Sequence, residues 1–363
     1  MNKHRSTDCI VIGAGMLGLL TARALNEAGA EVILVERAAV CGEASWAGGG
    51  ILSPLVPWEH PDAVSVLVGW SQQVYPGLAS ELRDETGIDA QWTRSGLLHA
   101  GTETNPVIEA WAQTHDCRLQ CLDAVQIGTL EPALAADLGP ALLLPDVAQV
   151  RNPRLGRALR ASLLQRGVTL QEHTEATGLL SRNGAVQGIR TATGELRAPQ
   201  VVVAGGAWSA QLLQGTGLEL PVVPVRGQMI QFQARPGLLQ HIVLHRGHYV
   251  IPRNDGLILA GSTLEHTGFD KAVTAEARHE LTRRSLALIP ALSGFRVVRH
   301  WAGLRPGTRD GVPKIGEHPE IRGLYINTGH YRNGVVMAPA SARLLVDRML
   351  QRESFTDISR YTL

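Results

Sequence analysis

Gly13, Gly15 and Gly18 stand in the stretch Gly13-Ala14-Gly15-Met16-Leu17-Gly18, between a short apolar run at 9–12 and a segment with helical apolar spacing. Glycines in this order serve a phosphate. Gly13 permits a tight turn, Gly15 lets backbone approach a pyrophosphate, and Gly18 lets the helix lie close on the strand. With Ala14 and Met16 in the same turn, the helix start offers unpaired N–H groups and a positive dipole end to an anion. Glu36, 18 residues past Gly18, ends the next apolar run, VILV, with Arg37 beside it. A carboxylate there accepts hydrogen bonds from ribose hydroxyls and disfavours a 2′-phosphate, which weighs against NADP and leaves FAD and NAD open.

These residues need a strand–helix–strand frame, and the sequence supplies one. Apolar spacing predicts a strand at 9–12, a helix at 17–28 stopped by Gly29, and a strand within 31–36. Residues 39–57, rich in glycine, alanine and serine, form a long loop that needs a function to justify it. Helices are predicted at 63–86 and at 152–166, the second with Pro153 placed to start it. Short strands follow at 168–170, 178–181 and 186–191, and a longer one at 197–204 ends in Gly205–Gly206. From 222 the character changes. Segments 222–233, 241–252, 257–262 and 295–302 are β-rich, and alternation in the first two suggests an antiparallel sheet. A helix at 274–289 lies among them. The dinucleotide-type pattern resumes with a strand at 324–328 and a terminal helix from about Pro339 to 351; proline is best tolerated in a first helical turn, so that helix is expected to begin just before it.

The fold class is thus α/β: a Rossmann-like domain interrupted by a β-rich α+β domain with a largely antiparallel sheet. Residues 1–86, 150–216 and 300–363 are assigned to the first and 87–149 and 217–299 to the second. Two lobes also suit a chain of 363 residues, too long for one core. The formal net charge of +1 argues against nucleic acid as a partner. No apolar stretch is long enough to span a membrane. A strand follows the first few residues at once, so the N-terminus does not read as a secretory signal. Four cysteines, Cys9, Cys41, Cys117 and Cys121, fit a reduced cytoplasm, and no histidine pair at metal spacing accompanies the last two.

The segments CIVIGAGMLGLLTARAL with Glu36, CGEASWAGGGILSP, VVVAGGAWS, WAGLRPGTRDGVPKIG and GHYRNGVVMAP together resemble the D-amino-acid-oxidase-type flavoprotein family, nearest its glycine-oxidase branch. The resemblance spans nearly the whole chain and implies FAD. It places the 43–52 segment along the flavin. Ser45 would bond a phosphate or ribose oxygen, and Ala47, Gly48, Gly49 and Gly50 would let backbone run against the ring where side chains would clash. Without the resemblance, three successive glycines also fit a flexible surface loop. Gly205, Gly206 and Trp208 would approach the nucleotide, with Trp208 read more as packing than chemistry, and Ala176 would contact adenine through its backbone. Arg332, Asn333, Gly334, Val335 and Val336 would meet the flavin pyrimidine edge, where a helix start favours the anionic reduced ring. The stretches 13–18 and 329–334 are expected to hold one flavin from opposite ends. The resemblance also implies a non-covalent flavin: the sarcosine-oxidase branch attaches its flavin through a cysteine in the C-terminal half, and no cysteine follows Cys121 here.

The same resemblance implies oxidative deamination of glycine or another small amino acid or amine: hydride passes from Cα–H to the flavin, the imine hydrolyses, and dioxygen yields hydrogen peroxide. Arg305 is the candidate for the substrate carboxylate, because a guanidinium binds both oxygens at once; the alternative is a salt bridge. Tyr249 is its candidate partner or a gate, the alternative being a core tyrosine. Arg332 and Gly50 complete the substrate set. His245, His248, His300 and His330 are read as structural rather than as bases, because a neutral amine and a cofactor that supplies the reactive centre need no protein base. Dehydrogenase activity toward another carrier and flavin-dependent modification of a tRNA aminomethyl uridine are the competing readings; the second needs a basic groove. A homotetramer and service to thiamine thiazole synthesis are further implications of the resemblance.

Overall fold

The computed structural model describes residues 7–363, so the N-terminal reading at 1–6 lies outside it. A six-stranded sheet forms the first lobe, in the order Lys314–Glu317, Leu324–Thr328, Gln200–Val203, Cys9–Ile12, Val32–Val35, Thr169–Gln171. All neighbours are parallel except the edge strand Lys314–Glu317. The central strands are continuous apolar runs because both faces are covered. On one face pack the helices Met16–Glu27, Asp62–Thr86, Asn152–Gln165 and Gly334–Met349. On the other lies a three-stranded antiparallel sheet, Ala176–Arg182, Ala185–Thr191 and Gly194–Arg197.

The run expected as one strand at 197–204 is therefore two. Arg197 closes the small antiparallel sheet, and Gln200–Val203 enters the parallel sheet. Pro199 between them has no N–H for a ladder, so the chain changes sheets there.

The second lobe is an eight-stranded sheet containing Arg296–Gly307, Val223–Gln233, Leu257–Gly261, His248–Pro252, Ile242–His245 and Leu97–Ala100 in that order, then two further strands. Every pair is antiparallel except Ile242–His245 with Leu97–Ala100. A lobe boundary at 299/300 falls inside the strand Arg296–Gly307, whose whole length pairs with Val223–Gln233. The pleat sorts side chains by face. Ile230, Phe232 and Val250 pack toward the helix Ala275–Leu288, whereas Met229, Tyr249 and Ile251 face the first lobe. His248 points to the helix side, where its Nε2 lies 3.1 Å from Ser285 Oγ, and burial pushes it down to about 4. Among the described residues no helix is long and apolar enough to cross a membrane.

Three helices of the first lobe are pinned by Glu85. It accepts from Ser162 Oγ at 2.6 Å, from Arg23 at 3.3 Å and from Arg166. Burial pushes this carboxyl up, but the Arg166 and Ser162 hydrogen bonds and the Arg23 charge overcome it and hold it at about 2. A folded-state value below the ordinary 4.5 means stability that is fully present above pH 4.5 and lost as pH falls toward 2. Glu85→Gln is expected to flatten that part of the acid-unfolding profile, read by circular dichroism between pH 5 and 2. An unchanged profile would remove Glu85 as its source.

Candidate active site

Two cavities meet along the carboxyl ends of the parallel strands. The larger, about 700 Å³, runs from the 13–17 turn and Glu36 past 174–179 and 204–208 to 327–335. Gly13 sits at φ +99°, and a Cβ on it would lie 2.6 Å from Ala204 O; a Cβ on Gly18 would lie 1.8 Å from Gly13 O. The turn therefore closes only with glycine at both positions. Gly15 caps the helix Met16–Glu27 in an extended conformation. Glu36 aims its carboxylate into the turn, where Oε2 accepts the Ala14 N–H at 2.8 Å and Oε1 the Ala38 N–H at 3.0 Å. Ser45 Oγ accepts the Met16 N–H at 2.9 Å. Arg37 pairs with Glu43 at 3.1 Å and lies over the Trp208 ring, 3.7 Å from its centroid. Trp208 in turn tilts against Phe269, which makes it a packing element at the cleft mouth. Ala176, buried at the start of its strand, lines the middle of the cleft. Gly205 and Gly206 cross its floor, with Gly206 O accepting from Thr328 Oγ1 at 3.1 Å.

The far end corrects the expectation for the terminal helix. It begins at Gly334, and Pro339 lies inside it rather than in its first turn. Proline has no N–H for the Val335 carbonyl. The Tyr75 hydroxyl donates to Val335 O instead, and the Ala340 N–H donates to Ser71 Oγ at 3.1 Å. Tyr75 and Ser71 share one face of the helix Asp62–Thr86. This neighbour satisfies the interrupted ladder, so the helix extends back to Asn333, Gly334, Val335 and Val336 and presents its start to the cavities. Tyr331 precedes it at φ +46°, a conformation rare outside glycine, held by its N–H to Pro306 O at 2.9 Å. His330 is buried behind, its Nε2 2.9 Å from Ser341 Oγ, and burial pushes it down to about 3, so it is neutral at physiological pH.

The smaller cavity, about 300 Å³, adjoins the first and is lined by Ala47, Gly48, Gly49, Gly50, Tyr249, Arg305, Arg332, Asn333 and Val336 among others. Arg305, Arg332 and Gly48 line both. Sheet register brings the key groups together. Val225 pairs with Arg305, Gly227 with Gly303 and Met229 with Trp301, and Gly261 stands between Met229 and Tyr249. The Arg305 guanidinium lies on backbone, donating to Arg226 O at 3.3 Å, Thr263 O at 3.2 Å and Ser262 Oγ at 2.6 Å. Among the described residues no carboxylate pairs with it; the salt-bridge alternative is not what the structure contains. Burial lowers Arg305 first, the Tyr249 hydroxyl counters, and Arg332 lowers it further. Tyr249 is 7% exposed, and its hydroxyl also reaches Met229 Sδ at 3.7 Å.

The site contains residues that sequence reasoning missed. Gly227 is one: a Cβ there would lie 2.2 Å from both Arg305 terminal nitrogens. Only the pairing of two distant strands reveals that need. Gly227→Ala is expected to lift the guanidinium off its carbonyl partners and lower kcat/KM by about 10- to 100-fold, at a packing cost of about 1–3 kcal/mol. Wild-type kinetics in that variant would show that the guanidinium position does not matter. Glu59 and His60, just past the glycine-rich loop, also line the smaller cavity, and burial and Arg332 keep His60 toward its neutral form against the pull of Glu59. Nothing in their local sequence marks them.

A parallel sheet with a glycine turn at its carboxyl edge, and an antiparallel sheet closing a second cavity over that cleft, define a two-lobed, dinucleotide-dependent oxidoreductase. The chain matches the family described as FAD dependent oxidoreductase over residues 8–348, and it belongs to that family. It is 49% identical to the glycine oxidase of Pseudomonas aeruginosa over 357 residues, covering 98% of both chains. It is 31% identical to the Bifunctional protein ThiO/ThiG of a Nostoc species, covering 98% of this chain and 54% of that one. The crystal structure of glycine oxidase from Geobacillus kaustophilus superimposes with a TM-score of 0.89 at 32% identity, covering 98% of each chain. The cofactor is FAD. The glycine cradle at 13–18, the helix starts at Met16 and Gly334 that border the cleft and the side-chain-free wall at 48–50 fit it.

Proposed function

We propose that the protein is a glycine-oxidase-like enzyme that oxidatively deaminates glycine or another small amino acid or amine. The observation that carries this is Arg305: a largely buried guanidinium at the junction of the two cavities, anchored by neutral oxygens and lacking an acidic partner among the described residues. A cation held that way invites a carboxylate, with the Tyr249 hydroxyl positioned to donate to the same anion. Arg332 adds positive charge across the cavity. Bound FAD supplies the hydride acceptor and the route to dioxygen. The chain's part is to orient Cα–H by clamping the carboxylate, to exclude water with Met229, Tyr249 and the 47–50 wall, and to leave the amine neutral. The imine then hydrolyses in water to the oxo acid and ammonia.

The cofactor-contact roles given to Gly13, Ala14, Gly15, Met16, Glu36, Arg37, Ser45, Ala176, Gly205, Gly206 and Asn333 to Val336 belong to the same proposal, supported by the two adjoining cavities that all of them but Ala14 line. So do the assignment of the two sheets to a cofactor lobe and a substrate lobe, a homotetramer, a cytoplasmic location and a place in thiamine thiazole synthesis; the ThiO/ThiG likeness supports the last. The test is peroxide release from a panel of amino acids and amines, run beside reduction of an artificial dye. Peroxide with glycine as a leading substrate is expected; dye reduction without peroxide would make the protein a dehydrogenase.

A further inference from the structure

A third cavity, about 240 Å³, lies between the helix Asn152–Gln165 and the antiparallel sheet, and Arg151, Arg154, Arg157, Arg253 and Arg299 line it. No acidic side chain does. Of the five guanidiniums only Arg151 meets a carboxylate, Asp255 at 2.6 Å. Arg154 donates to the Asp89 carbonyl at 2.6 Å. Among the described residues Arg157 and Arg299 make no side-chain hydrogen bond or ion pair. Arg253 is 8% exposed; it donates to Val150 O at 3.0 Å and Gly49 O at 2.7 Å and contacts Gln149 Oε1, yet its Nε is buried with no partner. Burial and the Arg151 charge together lower it to about 10 despite Asp255. Folding thus gathers like charges around one small space and leaves a buried donor unmet, which is costly unless something enters.

We propose that this cavity binds a small multivalent oxyanion, a phosphate ester or a polycarboxylate. A single carboxylate neutralises one guanidinium; four guanidiniums without a carboxylate partner around one cavity call for at least two anionic groups on the ligand. The apolar wall of Trp46, Trp301, Leu257 and Leu259 provides room for its carbon portion. The cavity is separate from the clefts already described, although Gly48 borders all three.

The experiment is calorimetric titration of the FAD-loaded protein with pyrophosphate and with citrate, repeated in Arg305→Ala, where binding that persists is not at the substrate site. One of them is expected to bind, and the tighter identifies the phosphate or the carboxylate source. In Arg157→Ala/Arg299→Ala, which alters two exposed side chains and is expected to fold normally, affinity should fall by about 10- to 100-fold. Glycine turnover without added anion should stay at the wild-type level in that variant. Failure of both anions to bind, or binding equally tight in the double variant, would overturn the site.

Discussion

Arg305→Ala is expected to raise the glycine KM by about two to three orders of magnitude, because losing a desolvated charge partner costs about 2–5 kcal/mol. The carboxylate would enter a cavity whose remaining donors include the Tyr249 hydroxyl and Arg332. Bound FAD should be retained, since the turn at 13–18, proposed to face its phosphates, is untouched. The size of the effect follows from anchoring. Three neutral oxygens, Arg226 O, Thr263 O and Ser262 Oγ, hold the guanidinium in place before substrate arrives, so little ordering cost is left for binding. Arg305→Lys, which keeps charge but loses the planar fork, should recover only part of the loss. Steady-state kinetics with flavin content measured on the same samples checks both, and a wild-type KM in the alanine variant would remove Arg305 from the substrate site.

Gly18→Ala is expected to abolish stable FAD binding. Its Cβ would lie 1.8 Å from Gly13 O, an overlap that no side-chain rotation relieves because the neighbour is backbone. The helix Met16–Glu27 must therefore move off the strand Cys9–Ile12, and the amides of the turn move with it. Overpacking of this kind costs about 1–3 kcal/mol of stability, and the displaced turn no longer presents its donors in register. The purified variant should be colourless or lose flavin on gel filtration, with a lowered melting temperature. Gly29→Ala is the control: Gly29 has positive φ, which Gly18 does not, but a Cβ there meets nothing within 4 Å, so a modest loss of stability with flavin retained is expected. A yellow, fully loaded Gly18→Ala protein would break the link between the turn and the cofactor.

Legibility in the sequence tracked how local each requirement is. The 13–18 turn, the helices Asp62–Thr86 and Asn152–Gln165 and the alternating strands of the second lobe were readable because period and punctuation lie within a few residues. The start of the last helix was misread at Pro339, since the groups that compensate for proline, Ser71 and Tyr75, sit far away in sequence. The break at Pro199 was missed because Arg197 and Ala198 lead directly into the apolar run at 201–204 with no glycine or turn cluster between them. Gly227, Glu59, His60 and the arginine-lined cavity carry no local signature.

By itself the sequence determined the glycine turn, the acid that ends the second strand, the alternation of sheet types and the presence of an arginine just past a β-rich run. Those are set by spacing along one chain segment, where steric and hydrogen-bonding demands act over a few residues. The tertiary structure decided which face Arg305 and Tyr249 share, that Gly227 clears space for a guanidinium, and that Tyr75 completes a helix interrupted by proline. Each of these depends on register between strands or on packing between helices far apart in the chain, and such pairings are fixed only when the two sheets close on one another.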